Sequence, residues 1–123
     1  MSYLLDTQVV LWWVWGDGRL SDELRLLLKD EPDVYISPVS VWEIAIKQAK
    51  GKLPGPVDLA ERATSEFTEL PVTAQHAIAA GRLPRVHEDP FDRMLIAQAR
   101  CEGLTLVSSD EAIHKYDVNV HWS

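Results

Sequence analysis

The sequence predicts an α/β domain of three layers, α/β/α, built on a central and mostly parallel sheet. Two observations lead there. Short stretches at 3–5, 34–36 and 104–107 are unbroken apolar runs, the pattern of strands buried on both faces rather than half-exposed ones. Between them lie helix-length segments with their own start and stop signals, and strands alternating with helices imply crossovers that cover both faces of a parallel sheet. A chain of 123 residues is long enough for one proper core, so 1–123 reads as a single domain.

Tyr3-Leu4-Leu5 is the first strand, and Thr7 to Trp15 follows as an apolar helix closed by Gly16-Asp17-Gly18. Ser21 offers an N-cap to a second helix reaching about Lys29, with Leu24, Leu27 and Leu28 at helical spacing. Val34-Tyr35-Ile36 is the second strand. Ser37 caps a third helix, Pro38 occupies its first turn, and it ends near Gly51. Pro54-Gly55-Pro56 marks a loop; a fourth helix is expected from Val57 to about Ser65 and a short strand from Glu69 to Pro71. Thr73 caps a fifth helix ending at Gly81. Asp89 caps a sixth with Pro90 at its first position, and Gly103 closes it. Leu104 to Val107 is a strand, followed by Ser108-Ser109-Asp110, a short helix to Tyr116 and a last strand near Val118 to Trp122.

With 46% hydrophobic and 25% charged residues the composition is neither disordered nor fibrous. The longest apolar run, Val9 to Trp15, is too short to span a bilayer, and no cationic leader or lipidation signal is evident, so a cytoplasmic protein without membrane attachment is expected. Cys101 is alone and reads as a packing residue. A net charge of −7 argues against holding nucleic acid by charge alone; a polyanionic substrate would need metal and a local basic rim.

Asp6, Glu43, Asp92 and Asp110 carry the chemistry. Asp6 and Asp110 follow strands, at the carboxyl edge where open α/β sheets bind ligands, although Asp before a helix is also an ordinary N-cap. Asp92 suits the first turn of its helix through the dipole. Glu43 belongs to a helix that is apolar nearly all round, on a narrow polar stripe of Ser40, Glu43, Lys47 and Lys50; the bland reading is an i,i+4 pair with Lys47. Carboxylates without His or Cys suit a hard cation, Mg²⁺ or Mn²⁺, and metal-assisted phosphodiester hydrolysis.

The opening Leu4-Leu5-Asp6-Thr7, the run Ser37 to Lys47 (SPVSVWEIAIK), Gly51-Lys52-Leu53, the block Asp89 to Ala99 (DPFDRMLIAQA) and Leu106-Val107-Ser108-Ser109-Asp110 together resemble a PIN-domain protein of the VapC toxin type. The match spans almost the whole chain in the right order, and the block at 89–99 is its most specific part. The resemblance implies a metal-dependent endoribonuclease of a bacterial or archaeal toxin–antitoxin pair, inhibited by a VapB-like antitoxin. It also implies that Asp6, Glu43 and Asp92 are the core acids, Asp110 the fourth, and Thr7 the hydroxyl beside the first acid. Ser108 stands where the family commonly has Thr, keeping the hydroxyl.

Thr7, Lys47, Arg93 and Ser108 are the candidate substrate contacts, with Arg93 foremost for phosphate; Lys50, Lys52, Arg82 and Arg85 could extend a basic rim or be solvated helix-end charges. Trp12, Trp13 and Trp15 exceed what one small core needs and point to a protein interface, shared with Trp42. The four histidines have no mutual ligand spacing and read as structural or surface residues. The expected partners are RNA, the antitoxin and a second copy of the chain. Two rivals remain: a PIN-like interaction module without turnover, and a phosphatase of the haloacid dehalogenase kind. The latter is disfavoured because its chemistry wants an Asp at position 8, which is Gln.

Overall fold

A computed structural model of the chain describes residues 2–86, 88–113, 116 and 120–122. The elements run β1 (Tyr3–Leu5), α1 (Thr7–Trp15), α2 (Asp22–Asp30), β2 (Val34–Ile36), α3 (Pro38–Ala49), α4 (Leu59–Glu66), β3 (Thr68–Glu69), α5 (Ala74–Gly81), α6 (Pro90–Glu102), β4 (Thr105–Ser108) and β5 (Val120–Trp122). The strands form one sheet in the order β3-β2-β1-β4-β5, and every pair is parallel. Tyr3 lies opposite both Val34 and Thr105, so β1 is the centre, and the chain leaves it first toward β2 and later returns beside it as β4. The carboxyl ends of β1 and β4 therefore flank a topological switch point, where such sheets open a crevice.

Strand periodicity sorts the core into two layers. Tyr3, Leu5, Val34, Ile36 and Val107 face the α1, α2 and α4 side, while Leu4 and Leu106 face α6 with Leu95, Ile96 and Ala99. Helix α3 contributes to both, Ile44 and Val41 to the first and Val39 to the second, so it bridges the layers near the sheet's carboxyl edge. No described helix is long and apolar enough to cross a membrane.

Most boundaries follow from capping chemistry. Asp6, Ser21, Ser37, Thr73 and Asp89 each accept a backbone N–H of the helix that follows. Gly16 and Gly103 close α1 and α6 in the left-handed region, at φ 67° and 68°. Three segments shift from expectation. Helix α4 starts at Leu59, not Val57, because Val57 stands 97% exposed after the Pro-Gly-Pro loop and packs nothing; the Asp58 carboxylate pairs with Arg62 instead of capping. The short strand is Thr68–Glu69, with the Leu70 N–H still donating to the Ile36 carbonyl at 2.8 Å before Pro71, which has no N–H to give. Strand β4 begins one residue late because the Leu104 N–H is used by Ala99, closing α6. The expected helix to Tyr116 and strand start at Val118 fall partly on 114, 115 and 117–119, outside the described residues.

One expectation is corrected. The first helix is covered better than its composition suggested: Trp12 is buried, with the Arg19 guanidinium 5.3 Å from its ring centre. Trp13 is half-buried, with Arg25 5.8 Å from its ring centre and Phe67 edge-on at 5.5 Å. Among the described residues, the aromatic that faces solvent is Trp42, 61% exposed. On helix α3, Ser40 and Glu43 of the polar stripe are buried with Ile44, whereas Lys47 and Lys50 of the same stripe are exposed, and Trp42 and Ala45 also face outward.

Candidate active site

Backbone geometry delivers Asp6 directly. The Asp6 N–H extends the ladder to the Val107 carbonyl at 3.1 Å, which places the residue at the last rung of β1 and points its side chain into the crevice between β1 and β4. Both carboxylate oxygens are then used. Oδ1 accepts the Val9 N–H at 2.8 Å as the α1 cap, and Oδ2 accepts the Ser108 hydroxyl at 2.5 Å, the short bond expected when the acceptor is ionised. Burial nevertheless pushes Asp6 from its ordinary 3.8 up to about 6, against those two bonds and with the charges of Asp110 and Glu43 adding to it.

Ser108, the end of β4, is fully buried and links two acids. Its hydroxyl donates to Asp6 and its oxygen accepts the Asp110 N–H at 3.0 Å, so the loop carrying Asp110 is anchored to the first strand. Asp110 itself is exposed at the rim, with one oxygen accepting the Ala112 N–H at 2.9 Å.

Glu43 arrives from α3. It is 7% exposed, and its Oε1 accepts the Thr7 hydroxyl at 2.6 Å while Oε2 meets the Lys47 ammonium at 2.7 Å. The single Thr7 proton goes to the carboxylate, so the Ser40 hydroxyl, 3.0 Å from the Thr7 oxygen, is the group that donates in return. Both readings of Glu43 thus hold at once: it forms the i,i+4 pair with Lys47 and it points inward. Asp92, half-buried on the first turn of α6, is pushed from 3.8 up to about 7. Burial is the largest cause, followed by the charges of Asp89, Asp110, Asp6 and Glu43. The Ser108 bridge between Asp6 and Asp110, the Thr7–Glu43 bond next to Asp6, and the Trp42–Phe91 contact next to Glu43 and Asp92 set the four acids at one edge of the sheet, with Lys47 ion-paired to Glu43.

Three of the candidate substrate contacts are placed otherwise. Arg93 spends its guanidinium on the backbone: Nη1 donates to the Pro84 carbonyl and Nη2 to those of Ala80 and Leu83, each at 2.9 Å, fastening the end of α5 to α6. Thr7 and Ser108 are buried and act through the acids they bond, as positioning residues. Lys47 remains, with its side chain 47% exposed at the lip. Lys50 and Arg82 are the C-cap residues of α3 and α5, and Lys52 and Arg85 are exposed, which fits solvated helix-end charges. Sequence reasoning passed over Ser40 and Asp89. Ser40 lies three residues before Glu43 and Asp89 three before Asp92, the one-turn spacing that was the available signal. His76 is structural: its ring closes the α5 capping box and pairs with Glu102 at 2.8 Å.

The donor set is all carboxylate, which suits Mg²⁺ or Mn²⁺ and not zinc. In this side-chain arrangement no group of three His, Cys, Asp or Glu residues among those described is close enough to clasp one ion. A hard cation that keeps several of its waters does not need such a clasp, and its charge would offset the burial and the smaller mutual repulsion that raise Asp6 and Asp92. The residues present fit such an ion by donor chemistry and by charge.

A parallel sheet whose central strands end in a cluster of acids defines a class of α/β domain in which carboxylates, not a glycine-rich loop, make the site. The PIN domain profile matches residues 3–119, and the chain belongs to that family. Comparison with curated proteins gives no match. Among solved structures, VapBC2 from Rickettsia felis, bound to a DNA fragment from its promoter, aligns with TM-score 0.75 at 17% identity over 99% of this chain and 98% of that one. A DNA-bound VapBC from Salmonella typhimurium aligns with TM-score 0.71 at 16% identity over 99% and 98%. VapC20 from Mycobacterium tuberculosis, a toxin cleaving the sarcin-ricin loop, aligns with TM-score 0.68 at 19% identity over 95% and 96%. At these identities the likeness is one of fold.

Proposed function

We propose that the chain is a metal-dependent endoribonuclease and the toxin of a type II toxin–antitoxin pair. What supports this is the PIN-domain match together with the contacts that bring Asp6, Glu43, Asp92 and Asp110, from four different segments, to the switch point: Ser108 links Asp6 to Asp110, Thr7 next to Asp6 bonds Glu43, and Trp42 meets Phe91 beside Glu43 and Asp92. A Mg²⁺ or Mn²⁺ held by these carboxylates would acidify an attacking water and neutralise charge building on the scissile phosphate. The chain's own residues do the rest. Ser108 and the Val9 N–H hold Asp6 in one orientation, and Thr7 with Ser40 holds Glu43. Lys47, already at the lip, can leave Glu43 for a phosphate oxygen of the RNA.

The VapBC structures above are complexes, which supports a VapB-like antitoxin as partner here, alongside RNA and a second copy of the chain. Its site is the groove of about 1010 Å³ between α2 and the α4–β3 end, lined by Trp13, Arg25, Leu26, Lys29 and Phe67. Of the four tryptophans expected at the interface, that placement keeps Trp13 and leaves out Trp12, Trp15 and Trp42. Incubation of the purified chain with structured RNAs, in Mn²⁺ and in excess chelator, tests the activity: cleavage should need metal and vanish in Asp6→Asn and Glu43→Gln. Cleavage undiminished by chelator refutes the metal site, and a chain that binds RNA or antitoxin without cutting is an interaction module.

A further inference from the structure

Trp42 and Phe91 immediately precede Glu43 and Asp92, and they meet across the same α3–α6 seam that brings those acids together. Their rings pack edge to face, with centroids 5.4 Å apart and planes at 70°. Adjacent positions on a helix point about 100° apart, so Trp42 flanks the inward-facing Glu43 instead of lying behind it. Among the described residues Trp42 is the one aromatic in the exposed hydrophobic set, whose other members are aliphatic. An indole left 61% exposed gives up the burial that a core position would provide. Phe91, half-buried, restrains the ring, so docking against its open surface costs little further side-chain entropy. The other neighbour of Glu43 on the exposed side is Lys47. A cation for the backbone and a restrained aromatic surface for a base, on either side of an acid cluster, is the combination that receives a single strand; an apolar docking patch would not need the cation.

We propose that Trp42, braced by Phe91, is the stacking surface for an unpaired base next to the phosphodiester held at the acids, so that the RNA is engaged as a single strand. This rests on the ribonuclease reading for its substrate class and assigns the residue that grips the base.

The test uses the full chain as wild type, Trp42→Leu and Trp42→Phe, each with an unchanged melting curve. Binding is measured for a fluorescently labelled, unstructured RNA decamer and for a decamer of abasic ribose phosphate, in Ca²⁺, with RNA integrity checked on a gel. Trp42→Leu should bind the RNA about tenfold more weakly and Trp42→Phe less than about threefold, with abasic binding the same in all proteins. Equal RNA binding by wild type and Trp42→Leu, equal loss on both decamers, or no RNA binding by the wild type overturns the proposal. A Trp42→Leu chain that changes from dimer to monomer in ultracentrifugation with RNA binding intact assigns the surface to a second copy and also overturns it. Base-dependent binding without cleavage in Mn²⁺ sinks the nuclease reading and leaves the stacking role standing; cleavage indifferent to Trp42 does the reverse.

Discussion

Each oxygen of Asp6 has its own donor, Val9 N–H on one side and Ser108 on the other, and the carboxyl is still pushed up to about 6. Burial and neighbouring charge therefore outweigh two good hydrogen bonds, and the ionised form destabilises the metal-free fold by up to about 3 kcal/mol at neutral pH. The sign of the pH dependence follows. A carboxyl raised from 3.8 to about 6, like Asp92 raised to about 7, contributes stability that is present below its ordinary value and lost as pH rises through the raised one. In chelator the melting temperature should fall between about pH 4 and pH 7, and Asp6→Asn, which keeps the cap, should flatten that slope and melt higher than wild type at pH 7. In millimolar Mn²⁺ the order should invert, since only the wild type gains full binding free energy from the ion. Curves shifted in parallel under both conditions would show that Asp6 is a cap alone. Ser108 is tested by activity: Ser108→Ala should lower kcat/KM by about 10- to 100-fold through loss of the Asp6 and Asp110 bonds, with Ser108→Thr near wild type.

Among the elements, α6 carries Arg93, the foremost phosphate candidate beside Asp92, whose fork donates to three carbonyls where α5 ends and the 82–89 connection begins. Without it those carbonyls lose charge-assisted donors, so Arg93→Ala should lower unfolding free energy by about 2 kcal/mol in urea titrations. The KM for RNA should stay within about twofold, whereas a phosphate ligand would raise it. Helix α3 was legible in part. Its apolar composition left Glu43 on a narrow polar stripe aimed at a neighbour, and the fold supplies that neighbour as Thr7 on α1, while Lys47 of the same stripe stays exposed.

For the molecule as a whole, a net charge of −7 and Lys47 as the lysine placed at the mouth of the site among the described residues bear on the proposed RNA binding. With metal held constant, the logarithm of affinity should fall with the logarithm of salt at a slope no steeper than about −2, the value for very few phosphate contacts with a single strand. Filter-binding across a salt series checks this; a steep slope would reveal a basic surface that the fold does not show at the site.

By itself the sequence determined the order of strands and helices and most caps, and singled out the acids proposed for the site, because apolar runs, Ser/Asp/Gly punctuation and carboxylates are local signals that survive without neighbours. Resemblance at 89–99 extended this to the family. Tertiary structure decided which polar groups face each other. Thr7 and Glu43, 36 residues apart, meet only once α1 and α3 pack, and Asp6 and Ser108, 102 apart, meet only because β4 pairs beside β1. The partner that Glu43 meets and the use of Arg93 likewise depend on groups elsewhere in the chain, since a side chain's bonding is settled by what desolvates it and no periodicity within one helix records that.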